Sequence, residues 1–161
     1  MREIPDWNTY FMSMLGPIAS RSKDPNTQFS CVIVGPENNI RATGYNSLPR
    51  GVRDDAEKFP ERFQRPEKYM WIEHAERNAI YSAARIGVPL SGSKLIAPGL
   101  PCMDCGRAII QVGIVEVVYD YEKQIAWEKT TPKYVPDFER VRGLLDEAGV
   151  KVTPWSDPNP K

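Results

Sequence analysis

Residues 74–80 read His74-Ala75-Glu76-Arg77-Asn78-Ala79-Ile80, and residues 101–105 read Pro101-Cys102-Met103-Asp104-Cys105. Around the first stretch, Ile72, Ala75, Ala79, Ala83 and Ile86 recur at steps of three and four residues. That spacing predicts an amphipathic helix, with Gly87 as its stop signal. Ahead of the second stretch, Lys94 to Ala97 reads as a short buried strand. Pro101 suits the first turn of a further helix running through Ala108, Ile109 and Ile110. Ile114 to Tyr119 is a β-branched run and reads as the next strand.

The same reading extends outward in both directions. Trp7, Tyr10, Phe11, Met14, Leu15 and Ile18 mark one face of an N-terminal helix. Gln28 to Val34 and Ile40 to Tyr45 read as two strands of a hairpin, joined by the turn residues Pro36-Glu37-Asn38-Asn39. From Asn46 to about Met70 the chain is polar and proline-bearing, which predicts a long loop with room for a short helix. Phe138, Val141, Leu144, Leu145 and Ala148 make a last helix stopped by Gly149, and Val150 to Val152 adds a strand. Residues from about 153 onward, with Pro154, Pro158 and Pro160, read as an irregular tail. Such alternation predicts an α/β fold of three layers, α/β/α, with a mixed central sheet of about five strands. No repeat or boundary divides residues 1–161, so a single domain is expected.

The chemistry of the two opening stretches is specific. Zinc takes His nitrogen and Cys thiolate in tetrahedral sites. In a Cys-x-x-Cys at a helix start both sulfurs can face one point, and the helix N-terminus favours the thiolate. His74, Cys102 and Cys105 supply three ligands, which leaves a fourth position for water, as in a catalytic site. Glu76, two residues beyond His74, stands near such a metal without having to bind it and can carry protons. Two other readings stay open. Cys31 as a fourth ligand would close a structural zinc site, although in its apolar strand it reads first as a small buried thiol. A redox pair at Cys102 and Cys105 would leave the His-x-Glu unexplained.

Composition narrows the classes. The chain has 161 residues, 41% apolar and 26% charged, with 21 basic and 21 acidic side chains. A net charge of zero argues against a protein built to grip a long nucleic acid, while leaving room for a small phosphorylated ligand. No apolar run reaches the roughly 18–20 residues of a membrane span. The opening Met1-Arg2-Glu3-Ile4-Pro5-Asp6 has no signal-peptide core. Three cysteines, two of them in a Cys-x-x-Cys, fit a reducing compartment, so a cytoplasmic location is expected.

His-x-Glu followed by Pro-Cys-x-x-Cys is the signature of the zinc deaminases. Further segments resemble one branch, the deoxycytidylate (dCMP) deaminases of the cytidine deaminase superfamily. Ser22-Lys23-Asp24-Pro25-Asn26-Thr27-Gln28 is similar to the family's segment between first helix and first strand. Gly44-Tyr45-Asn46-Ser47-Leu48-Pro49-Arg50-Gly51, with Asp54-Asp55 after it, resembles the family's Gly-Tyr-Asn-Gly-x-Pro segment. The likeness continues through His74-Ala75-Glu76-x-Asn78-Ala79-Ile80 and Pro101-Cys102 to Ile114, and thins after Tyr121.

That resemblance implies a cytidine deaminase-like fold and hydrolytic conversion of dCMP to dUMP and ammonia, with one catalytic Zn2+ per chain. It implies that Asn26 holds the sugar 3′-hydroxyl, and that the Ala75 backbone and the Pro101 region read the cytosine edge. Tyr121 is a further expected substrate contact, as an aromatic side chain available to stack on the base. The family also implies regulation by dCTP with Mg2+ as activator and dTTP as inhibitor. The implied effector residues are Lys23, Gly44, Tyr45, Asn46, Ser47, Arg50 and Asp54. A homohexamer is expected, without nucleic-acid or membrane partners. The alternatives are a relative acting on dCTP, free deoxycytidine or another cytosine compound, and a structural zinc module. The sequence departs from the family pattern at Ser47, where glycine is usual, and at Phe29 and Ser30, where small residues are often found. Its one His leaves nothing for the second, structural zinc of some phage relatives.

Overall fold

The computed structural model describes residues 3–158. Five strands form one sheet in the order β2-β1-β3-β4-β5. They are β1 (Ser30–Val34), β2 (Ile40–Tyr45), β3 (Lys94–Ala97), β4 (Glu116–Asp120) and β5 (Lys151–Trp155). β1 lies antiparallel to β2 and to β3, whereas β3, β4 and β5 run parallel. The hairpin turn places Asn38 at φ 60°, a left-handed position that asparagine tolerates.

Alternation along the strands sends side chains to opposite faces. Val32, Val34, Ile96 and Val118 meet Phe11, Met12 and Leu15 of α1 (Trp7–Ala19). Cys31, Ile33, Leu95, Ala97 and Val117 face the opposite layer. That layer contains Ala75, Ala79, Ile80 and Ala83 of α3 (Ala75–Ile86), Ile109 of α4 (Met103–Gln111), and Val141 and Leu145 of α6 (Val135–Glu147). The expected three layers around a mixed five-stranded sheet are present. Each large apolar side chain removed from water in this way stabilises the fold by about 1.5–3 kcal/mol before entropy is counted. No helix of the described residues is long and apolar enough to cross a membrane.

Four expectations are corrected. First, α3 starts at Ala75, because Glu73 is drawn into a β-bridge with Ser47. Second, α4 starts at Met103, with Cys102 as its N-cap in extended backbone and Pro101 just outside. Third, the chain stays ordered past residue 153, since β5 pairs with β4 as far as Trp155. Pro154 is accommodated because β5 is an edge strand. Trp155 packs against the α1 cluster and donates its indole N–H to Thr9 Oγ1 at 3.1 Å. Residues 159–161 of the expected tail lie outside the described residues.

Fourth, a helix escaped the sequence reading: α5 (Tyr121–Thr130), capped by the Asp120 carboxylate on Lys123 N–H. Its one fully buried residue is Gln124, so it carries no apolar stripe. The long polar segment contains a 3-10 turn, Pro60–Phe63, and a short α2, Lys68–Trp71. Here the Arg62 guanidinium lies between the rings of Phe59, at 4.1 Å, and Trp71, at 4.3 Å.

Candidate metal centre and its surroundings

Two helix starts converge on one point. His74 is the N-cap of α3, and Cys102 is the N-cap of α4, which follows the loop leaving the carboxyl end of β3. Open α/β sheets bind ligands at that end of their parallel strands. His74 Nδ1 lies 3.4 Å from Cys102 Sγ and 3.6 Å from Cys105 Sγ, and the three donor atoms fall within 4.8 Å of one another. A tetrahedron with Zn–S of about 2.3 Å and Zn–N of about 2.0–2.1 Å has N···S edges of about 3.6 Å. The donor set and its spacing therefore fit zinc.

Cys31 is not in the cluster. It is wholly buried on β1, and burial pushes its thiol well above the usual range. The reading with Cys31 as fourth ligand is thereby excluded, and three protein ligands remain.

Charge around the cluster is uneven. A hydrogen bond from the Cys105 thiol, followed by the His74 ring, holds the Cys102 thiol down at about 3, while that same shared proton and burial push Cys105 far up. Without metal the pair thus carries one thiolate and one proton. The Cys102 contact raises His74 above its ordinary value. Burial raises Glu76, whose Oε2 is 3.5 Å from Cys105 Sγ. A buried carboxyl with a raised affinity for protons, beside the three donors, suits proton transfer.

Arg77 is part of this surrounding and was missed in the sequence. Its Nη1 lies 3.7 Å from Cys105 Sγ, and its Nε donates to Glu73 Oε1 at 2.7 Å. The same Glu73 oxygen accepts the His74 backbone N–H at 2.9 Å. The i,i+4 spacing of Glu73 and Arg77 was the available signal. Buried Gln124 was missed as well. It accepts the Leu100 N–H at 2.9 Å, ahead of Pro101, and nothing in the sequence pattern pointed to it.

The remaining expected residues divide between several places. Ala75 and Pro101 are buried at the two helix starts, but the Ala75 N–H is already taken by Asn46 Oδ1 at 2.9 Å. Asn26 is exposed in a turn whose backbone is held by Asp24. Tyr121 opens α5 and is 44% exposed.

Lys23, Gly44, Tyr45, Ser47, Arg50 and Asp54 line a separate cavity of about 550 Å3, to which none of the metal donors contributes. Lys23 and Asp54 pair there at 3.0 Å, and Arg50 reaches Ser82 Oγ at 2.9 Å. Asn46, expected with this group, does not line the cavity. It is buried between the turn and α3, donating to the Thr27 carbonyl at 2.8 Å. Gly44 has a packing role beyond the cavity wall: a Cβ there would stand 2.0 Å from the Ala75 carbonyl oxygen.

Residues 5–121 match the family described as cytidine and deoxycytidylate deaminase zinc-binding region. The chain belongs to that family. It is 38% identical over 159 residues to a probable deoxycytidylate deaminase of Drosophila melanogaster, covering 93% of this chain and 72% of the relative. It is 36% identical over 149 residues to a deoxycytidylate deaminase of Pongo abelii, covering 90% and 77%. Among solved structures, the dCMP deaminase of cyanophage S-TIM5 in complex with dCMP and dUMP is similar at a TM-score of 0.69 and 23% identity, covering 96% of this chain and all of that one. That likeness establishes a common fold.

Proposed function

We propose that the protein deaminates dCMP hydrolytically to dUMP and ammonia. The observation that carries this reading is the three-donor cluster of His74, Cys102 and Cys105 with the buried Glu76 carboxyl beside it. His74, Cys102 and Cys105 would hold a zinc ion, which would supply the Lewis acidity that makes water a nucleophile at neutral pH. Glu76 would take a proton from the attacking water and deliver it to N3 of the cytosine ring as C4 becomes tetrahedral, then take the second proton, from the new C4 hydroxyl, and give it to the departing amine as the C4 carbonyl forms. Burial supports this double role, because it raises the carboxyl's affinity for a proton. Arg77, whose Nη1 lies 3.7 Å from Cys105 Sγ, would offset the thiolate charge of the cluster.

Asn26 would hold the sugar 3′-hydroxyl, and Pro101 and Ala75 would form the wall beside the base. With its N–H engaged by Asn46, Ala75 contributes shape there unless that bond opens. Tyr121, the first residue of α5, would stack on the base.

The 550 Å3 cavity is read as the effector site, for dCTP with Mg2+ as activator and dTTP as inhibitor. Arg21, Lys23, Arg50 and Arg85 on its wall offer positive charge to a triphosphate. A cytoplasmic homohexamer, each chain acting as one domain, completes the proposal.

The test is ammonia release by the zinc-loaded protein from dCMP, with dCTP and deoxycytidine alongside. Turnover mainly of dCMP is expected. Preference for another cytosine compound would overturn the substrate assignment, and no turnover of any of them would overturn the activity.

A further inference from the structure

α2 buries one residue, and it is a lysine. The Lys68 side chain is 3% exposed, and its ammonium stands 2.8 Å from both carboxylate oxygens of Asp24, which is equally buried. Two charges taken out of water cost several kcal/mol each unless they meet in good geometry, so this pair is tightly constrained in position.

The Asp24 carboxylate does a second thing. Its Oδ1 accepts the backbone N–H of Asn26 at 2.8 Å and that of Thr27 at 3.0 Å. The turn that presents Asn26 is therefore built on a carboxylate that Lys68 orients. On its other side Lys68 is tied to the metal centre: its carbonyl accepts the Ile72 N–H at 2.8 Å, Glu73 is bridged to Ser47, and His74 follows directly. Asp24 and Lys68 are 44 positions apart in the chain. Their contact spans the gap between the Asn26 turn and the run entering His74.

We infer that Lys68 is a positioning residue for the nucleotide. Through Asp24 it holds the Asn26 turn at the separation from the metal centre that one ligand must bridge, with its base at one end and its sugar at the other. The inference rests on the proposed reading of dCMP as substrate and of Asn26 as its sugar contact. Lys68 itself touches neither. Asp24, 3% exposed, is the support on which the turn is oriented.

The experiment uses the full zinc-loaded chain with Lys68→Met, Asn26→Ala and the two combined, and reads zinc per chain, Tm, kcat and KM for dCMP. Lys68→Met is expected to keep its zinc and to raise KM about tenfold with kcat within about threefold, as when binding common to ground and transition states is lost. Asn26→Ala should do the same, and the combined variant should add little further, because both act through one contact.

A buried aspartate left unpaired can prevent folding, so Asp24→Asn/Lys68→Met, which removes both charges together, carries the same expectation. A lowered Tm with KM unchanged in the foldable variants would reduce the pair to a structural one and overturn the inference. So would additive rises in KM. Failure of the parent to turn over dCMP, or an Asn26→Ala KM equal to the parent's, would overturn the reading beneath it. An active parent with a sensitive Asn26 and an insensitive Lys68 would remove Lys68's part alone.

Discussion

The Asn46 side-chain oxygen accepts the backbone N–H of Ala75, the first residue of α3, at 2.9 Å. Helix starts need acceptors for their free N–H groups, and the N-cap side chain usually supplies one. Here the N-cap is His74, which makes no capping bond and turns its ring towards the two thiols. Asn46, on a different segment, supplies an acceptor to the first N–H of this helix while the imidazole faces the thiols.

Replacing Asn46 with Ala should therefore destabilise the protein, by about 1–3 kcal/mol for each buried group left unsatisfied, namely the Ala75 N–H and the Thr27 carbonyl. Asn46→Asp keeps the acceptor and loses the donor, so its loss should be smaller. Chemical denaturation of the three proteins checks the order.

Glu76→Gln should retain zinc and lower turnover by about 10²–10⁴-fold, the usual contribution of a proton-transferring side chain. Zinc content and dCMP turnover measured on one preparation check this. Stability gives an independent check. Burial raises the Glu76 pKa in the folded state, so the unfolded chain releases that proton at lower pH. The metal-free protein should lose the associated stability as pH rises from the ordinary carboxyl value through the raised one. Glu76→Gln should remove this slope, and melting curves of the metal-free proteins across that range read it.

Zinc uptake should release protons and weaken as pH falls. In the metal-free pair Cys102 is held low, at about 3, and Cys105 high, so the Cys105 proton must be displaced, and the raised His74 adds its own as pH falls. Titration in buffers of differing ionisation enthalpy counts the protons. Cys102→Ser and Cys105→Ser should each lose stoichiometric zinc, checked by metal analysis after dialysis.

Gly44→Ala should cost about 1–3 kcal/mol, as overpacking does, because the new methyl meets the Ala75 carbonyl of α3. At about 2–4 °C per kcal/mol for a chain of this size, the loss is visible in a thermal melt. A neutral Gly44→Ala would mean that β2 and α3 can separate freely.

Much of this molecule was legible beforehand where side-chain chemistry and spacing act locally. Three and four-residue steps located α1, α3 and α6, and β-branched runs located β1 and β4. His-x-Glu and Cys-x-x-Cys located the cluster, because metal ligands must be of particular types at helix starts. What escaped depends on partners distant in the chain. α5 turns inward a glutamine whose hydrogen bond to Leu100 exists only after folding. Strand β5 continues past Val152 because Trp155 has a place against α1. Asn46 reads as a turn residue two positions after Gly44, and only the position of Ala75 shows that it serves the metal helix. Nothing in the local pattern singles out Lys68, whose partner Asp24 lies 44 positions away.

His74 is the sole imidazole among 161 residues. The ring proton resonances of histidine, crowded in most proteins, here form a single set that belongs to the cluster. One nuclear magnetic resonance spectrum of the unmodified chain can follow occupancy, competitor metals and nucleotide arrival at this position. No labelling of individual residues is needed, and no other histidine contributes background.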